Sequence, residues 1–296
     1  MANSITGLDN ELFLDIALES FCAAITPLSA FSLDASSAAT AKGKTVVIPR
    51  ASTADAATTK SGDYSVQDAD SDTVELTMPA EPTYVSWGLT DSEIANAGAL
   101  SMELYAKQKG FQLAKKVLQD IWGEITNANF GAAAFTGAAG TFDADDVVDI
   151  RTACTNADMP NAPRALVLDV DYYGALLKDG AIQSSDAFGS SQPVQGGTIP
   201  QLSGFSLYES NLIPANGENL VGFAAHPSAI AIAMRYLEPQ EGHKYNEARP
   251  LVGEGGITIG YRDWYDENAG QRKRVLEVMH AWETAIGAGI KRIVSA

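Results

Sequence analysis

The stretch Thr90–Ile125, TDSEIANAGALSMELYAKQKGFQLAKKVLQDIWGEI, decides how the rest of the chain is read. Thr90 or Ser92 can cap a helix, because a side-chain oxygen there can accept a free amide of the first turn. Leu100, Leu104, Phe111, Ala114, Leu118, Ile121, Trp122 and Ile125 then recur at steps of three, four and seven. That spacing predicts one apolar stripe along one helix. Lys107, Lys109, Lys115, Lys116 and Glu124 fall mostly elsewhere on its circumference. Roughly 30 helical residues would make a rod of ~45 Å, far longer than an average globular helix. Gly98 and Gly110 interrupt it, so a kink or a late start is expected there.

Upstream, Leu14, Leu18, Phe21, Ile25 and Leu28 sit at helical spacing, and Pro27 ends that segment. The residues before it read as a flexible arm. A strand is expected over 45–50, then a polar segment, a second extended stretch at Tyr64–Val66, and a turn at Asp68–Asp72. Val74, Leu76 and Met78 alternate with Thr73, Glu75 and Thr77, and Tyr84–Trp87 extends toward the helix. The region reads as a long two-stranded arm. A lone hairpin is too poor in core to be stable in water, so the arm must lie on its own body or on a neighbouring subunit.

Downstream, 127–140 is an Ala/Gly-rich linker. Asp143 is the expected cap of a helix, with Phe142 and Val147 as a hydrophobic staple. Val147, Ile150, Arg151 and Cys154 share one side of it. A strand over 164–168, a short helix with Tyr173, Leu176 and Leu177, a polar loop over 179–197, and strands at 205–208 and 220–223 follow. In 229–236 one face carries Ile230, Ile232, Met234 and Tyr236, and the other only Ala229, Ala231 and Ala233. An all-alanine face permits close approach, which suits a central strand covered on both sides. Residues 141–239 thus read as an α/β unit inserted between the helix and a tail. In that tail Ile257, Ile259 and Tyr261 turn through 266–270 into a strand over 275–282. Leu276, Val278 and Trp282 would face the long helix, with His280 between them.

Composition narrows the function. The chain has 296 residues, 19% charged and 46% hydrophobic, which fits a surface largely hidden against partners. A net charge of −17 disfavours a dedicated nucleic-acid-binding protein. No apolar run approaches the ~20 residues that span a bilayer, and the acidic N-terminus does not resemble a signal peptide. Arg272-Lys273-Arg274, the longest basic run, reads as a solvated hairpin shoulder. Cys22 and Cys154 read as small buried hydrophobes in a reducing compartment, and His226, His243 and His280 have no zinc spacing.

No catalytic constellation emerges. Asp169-Val170-Asp171 at a strand end could share a divalent cation, as in a transferase, but helix capping explains the same residues. Asp143, Asp145, Asp146 and Asp149 lack the glycine and terminal glutamate of a calcium loop and suit the positive end of a helix. Gly253-Glu254-Gly255-Gly256 precedes a strand, so it fails as a nucleotide loop. No Gly-x-Ser-x-Gly elbow is present. Lys60 and Asn268 are the residue types of an inter-subunit isopeptide bond, and sequence shows no more than that. No catalytic, cofactor-binding or metal residue is therefore assigned, and no cofactor is expected.

The order of these parts, with several local sequences, resembles the major capsid proteins of tailed phages, the Hong Kong 97-type fold. The sequences are Phe31-Ser32 after Pro27-Leu28, Gly62-Asp63-Tyr64, Val85-Ser86-Trp87-Gly88-Leu89-Thr90-Asp91, Lys107-Gln108-Lys109-Gly110, Leu113-Ala114-Lys115-Lys116-Val117, Leu220-Val221-Gly222-Phe223-Ala224 and Ala233-Met234-Arg235-Tyr236. The resemblance implies an α+β fold with a long spine helix, an extended β-hairpin arm and an inserted α/β axial domain. Its parts would be an N-terminal arm (1–42), an extended loop across the adjacent subunit (43–89), the spine and first part of a peripheral domain (90–140), the axial domain (141–239), and the returning peripheral strands (240–296). It implies a non-enzymatic subunit that self-assembles, as pentamers and hexamers, into the icosahedral head of a tailed double-stranded DNA bacteriophage. The shell would be built in the host cytoplasm and enclose DNA without sequence-specific binding and without a membrane. With no long helical segment before the arm, a separate scaffolding protein is expected, alongside a portal and a possible decoration protein. The alternatives are an encapsulin-type compartment and, in another class, a divalent-cation-dependent transferase using Asp169 and Asp171.

Overall fold

In the computed structural model, the residues described are 6–36, 43, 45–51, 59–62, 71–96, 99–184, 196–252 and 257–296. The expected features at Tyr64–Val66, Asp68–Asp70, Gly98, Gly253–Gly256 and most of the 179–197 loop lie outside them. The first half of the chain runs α1 (Thr6–Ile25), β1 (Ser32–Asp34), β2 (Thr45–Ala51), β3 (Ser71–Thr77), β4 (Thr83–Thr90), α2 (Asp91–Asn96), α3 (Ala99–Gly123), α4 (Asn127–Phe130) and β5 (Phe135–Thr136). Then come α5 (Ala144–Asn156), β6 (Ala165–Leu168), α6 (Val170–Lys178), α7 (Gly180–Gln183), β7 (Gln201–Leu202), β8 (Phe205–Glu209) and β9 (Leu220–Ala225). The chain closes with β10 (Ile230–Arg235), β11 (Glu247–Val252), β12 (Thr258–Asp266), β13 (Gln271–Thr284) and β14 (Ile290–Val294).

Among the described residues these strands form two six-stranded sheets and a separate ribbon. The first sheet is built on β13, whose 14 residues pair with β4 and β12 over one half and with β10 over the other. β1 extends it beyond β10, and β11 beyond β12. The second sheet has the order β5-β14-β9-β6-β8-β7. The ribbon is the antiparallel pair β2–β3, from Thr45↔Thr77 to Ala51↔Ser71.

The long helix forms, but in two described pieces, α2 and α3. Thr90 caps α2 through a capping box: its hydroxyl accepts from the Glu93 amide at 3.3 Å while the Glu93 carboxylate accepts from the Thr90 amide at 2.9 Å. The buried face of α3 differs from the expected stripe. Ala114, Leu118, Ile121, Trp122 and, just beyond, Ile125 are buried, but Leu104 and Phe111 are exposed, and Ala106, Gly110, Leu113 and Val117 take their place. The cause is α1. A Cβ on Gly110 would collide with the Ala17 carbonyl oxygen, so the helices meet where both side chains are smallest. Gly110 is thus a contact point between helices, not the hinge expected there. The segment read as leading out of a flexible arm is a helix docked in the core, through Leu14, Ala17, Phe21 and Ile25.

β10 carries the logic of the first sheet. Ile230, Ile232 and Met234 belong to the core under α1 and α3, whereas Ala231 and Ala233 face Val46, Val74, Leu76 and Met78 at the ribbon root. β13 divides the same way, with Leu276 and Val278 toward α3 and Met279 and Ala281 toward the ribbon. The alanine face admits a strand pair, and the tail covers the spine as expected. One placement is corrected. β10 was expected inside the α/β unit, yet it pairs with β1 and β13, because its two-faced pattern matches β13 and not the second sheet. β14 moves the other way and joins β9.

The second sheet carries α5 and α6 on one face, through Val147, Ile150, Cys154, Tyr172 and Leu176 against Leu166, Leu168 and Ala224. Arg151, expected on that inner side of α5, is exposed. The other face meets the spine. There Phe31, Trp122 and Phe223 form a triangle of rings with centroids 5.4–5.9 Å apart.

Candidate functional site

The residue types that could carry chemistry are dispersed. Asp143 caps α5, accepting from the Asp145 and Asp146 amides at 3.0 and 3.1 Å, and Asp146 returns the capping-box bond. Burial holds the Asp146 carboxyl above its usual range. Asp169 occupies the N-cap position of α6, but its side chain accepts no capping bond, and Asp171 is exposed in the first turn. Capping thus accounts for the backbone placement of Asp169 and not for its carboxylate. Among the described residues no group of three or more His, Cys, Asp or Glu could hold a metal ion.

A pair that sequence reasoning missed joins His226 and Ser228, with Nδ1 and Oγ 2.6 Å apart. Because Nδ1 also accepts from the Ser228 amide, this is a side-chain-closed turn and not a base poised on a nucleophile. Cys154 is fully buried, which pushes its thiol up to about 11, while Cys22 is half-buried. No helix of the described residues is long and apolar enough to cross a membrane.

The basic run is not a solvated shoulder. Arg272 Nε donates to both oxygens of Asp263 at 2.9 and 3.0 Å, Lys273 pairs with Asp266, and Arg274 lies 4.0 Å from the fully buried Asp263. A second buried pair lies beside it, where Arg262 donates to Glu277 at 2.7 Å and burial raises the Glu277 carboxyl. Removing one partner would strand a charge in the sheet. These cations are therefore used inside the subunit, a role that a period-two strand pattern cannot reveal.

Several outward-facing patches are apolar and suit association. Leu104 and Tyr105 on α3 are 68% and 51% exposed, with the exposed Phe111 about two turns further along. Among the described residues one face of the ribbon is buried, and Val47 on its outer face is 52% exposed. A groove of about 860 Å³ opens between α1, the turn after it, β1, β10 and the end of β11. None of these surfaces arranges a nucleophile, base and electrophile. All are of the kind that buries itself against another protein.

Known proteins share this architecture. The structure from Mycobacterium phage Che8 is similar with a TM-score of 0.63 at 20% identity, over 91% of this chain and 90% of that one. The capsid of cyanophage P-SCSP1u gives 0.62 at 14% identity over 86% and 84%, and the mature capsid of bacteriophage PhiM1 gives 0.61 at 12% over 90% and 86%. No curated protein matches the chain in sequence. Identities this low establish the fold, which is the α+β Hong Kong 97-type capsid fold. Residues 86–275, more than half of the chain, match the family described as phage capsid protein. The chain belongs to the phage capsid protein family, as a structural and non-enzymatic major capsid protein that assembles into the head shell of the virion.

Proposed function

We propose that the β2–β3 ribbon crosses to an adjacent subunit in pentamers and hexamers and lies on the side of α3 that bears Leu104 and Phe111. The observation that carries this is the ribbon's one-sided burial over the described residues. Val46, Val74, Leu76 and Met78 are covered on one face, while Val47 on the other face is exposed and the pair has no third strand among the described residues. A two-stranded ribbon alone is marginal in water. Charge favours the same partner: residues 52–72 hold five aspartates against Lys60, and Lys107 is exposed beside Leu104. The second sheet with α5 and α6, β14 included, takes the axial position, and the spine with β10–β13 the peripheral one. A separate scaffolding protein and a portal complete assembly in the host cytoplasm. Double-stranded DNA is held by confinement, since a −17 subunit has no bulk attraction for phosphate. Many modest repeated contacts suffice for a closed shell.

The test is deletion of residues 51–62. The expected product is a folded, monomeric chain that forms no particles by electron microscopy and sedimentation. Normal particle yield would sink the cross-subunit role.

A further inference from the structure

The groove beside α1 is used by none of the contacts above. Its floor is apolar, with Leu18 among its residues and the 64%-exposed Val252 on its lip, and its rim carries the carboxylates of Asp15, Glu19 and Asp34. Asp15 and Glu19 are one helical turn apart on α1, both exposed, so they face the same occupant. Among the described residues no lysine, arginine or histidine lines the groove. We infer that the groove docks a cationic amphipathic peptide segment of a separate protein, seating two or three apolar anchors between lysines or arginines.

Three features select that occupant. The volume of about 860 Å³ lies within the ~300–1,000 Å³ of clefts that bury a compact ligand. An apolar floor with an anionic rim matches a helix-in-groove partner whose flanks are positive. A phosphate-bearing partner would meet three carboxylates, and a second copy would bring a further −17 to a rim of the same sign. The docking is read on the unassembled subunit, so it stands or falls separately from the ribbon's role in the shell.

The chain carries its own reporter. Cys22 lines the groove, whereas Cys154, the other cysteine, is fully buried. The probe is a fluorescein-labelled leucine–lysine amphipathic helix, with a leucine–glutamate helix of the same pattern as control. The full-length protein should bind the lysine peptide in a salt-dependent way, and that peptide alone should slow alkylation of Cys22. The double variant Asp15→Lys, Glu19→Lys should weaken binding by about tenfold or more. Val252→Lys, which removes an apolar contact and adds a repelling charge, should also weaken it, and at an exposed position it answers the question if the double variant fails to fold. Unchanged binding by the folded variants, or Cys22 alkylated as fast with peptide bound, overturns the proposal. So does Cys22 protection that rises with protein concentration alone, which would make a second copy the occupant.

Discussion

Two pairs of neighbours, α1 with α3 and β2 with β3, solve the same problem in opposite ways. The helix pair buries the apolar part of its contact: Ala17 sits on Gly110, Leu14, Phe21, Leu113 and Val117 close around them, and at the edge the Ser20 hydroxyl donates to the Lys107 carbonyl at 2.9 Å. The strand pair satisfies its backbone groups against each other but, among the described residues, rests on the body by one face and leaves Val47 on the other in solvent. The helices therefore hold the subunit, and the ribbon is held by it. Backbone hydrogen bonds define the ribbon's shape, but apolar burial decides whether that shape persists.

Substitutions on the two sides should separate accordingly. The largest loss is expected for Trp122→Ala, which empties the ring triangle with Phe31 and Phe223 and should cost about 3–5 kcal/mol by denaturant unfolding. Next is Gly110→Ala. In an open helix this change stabilises, but against the Ala17 carbonyl it should destabilise by about 1–3 kcal/mol. Gly174→Ala in α6, with open space around its Cβ, should instead stabilise by roughly 0.5–1 kcal/mol. If both glycine variants move the same way, the close-contact reading of the helix pair is lost. On the ribbon, Val47→Asp should leave unfolding free energy within about 0.5 kcal/mol and still lower particle yield. A subunit destabilised as strongly as by Gly110→Ala would place Val47 in the core instead.

The smallest effect concerns pH. His280 on β13 lies 3.5 Å from Asp120 on α3, and burial depresses its pKa, with Asp120 opposing the shift. A depressed folded-state pKa means that the unfolded chain binds the extra proton first. Stability should thus fall as pH drops below about 6.5, with a slope under ~1.4 kcal/mol per pH unit from this group. His280→Gln should flatten the profile between pH 7.5 and 5.5. An unchanged profile would remove His280 as its source.

Much of this was legible because it is local or periodic. The Asp143 cap, the alternation at Val74, Leu76 and Met78, and the alanine face of β10 follow from fixed repeats of 3.6 and 2 residues. The exposed Leu104 and Phe111 were misplaced because hydrophobicity was weighed where steric size decided: α1 approaches along Ala106 and Gly110, the path of least bulk. Arg272 and Arg274 were misplaced because their partner Asp263 comes from the neighbouring strand. The docking groove had no signature at all. Asp15, Asp34 and Val252 are separated by long stretches of chain, and only folding brings them to one rim.

The sequence by itself determined the main helices and strands (α1, α3, α5, α6, β2, β3, β9, β10 and β13 among them), which residues of each are apolar, and the family order of the parts, because those depend on residue type and on spacing within one element. The tertiary structure alone decided that β10 belongs with β13, that the ribbon root fills the alanine face, and which side of α3 stays open. Those outcomes depend on pair distances between remote residues, where steric fit and charge pairing choose among surfaces that look equivalent along the chain.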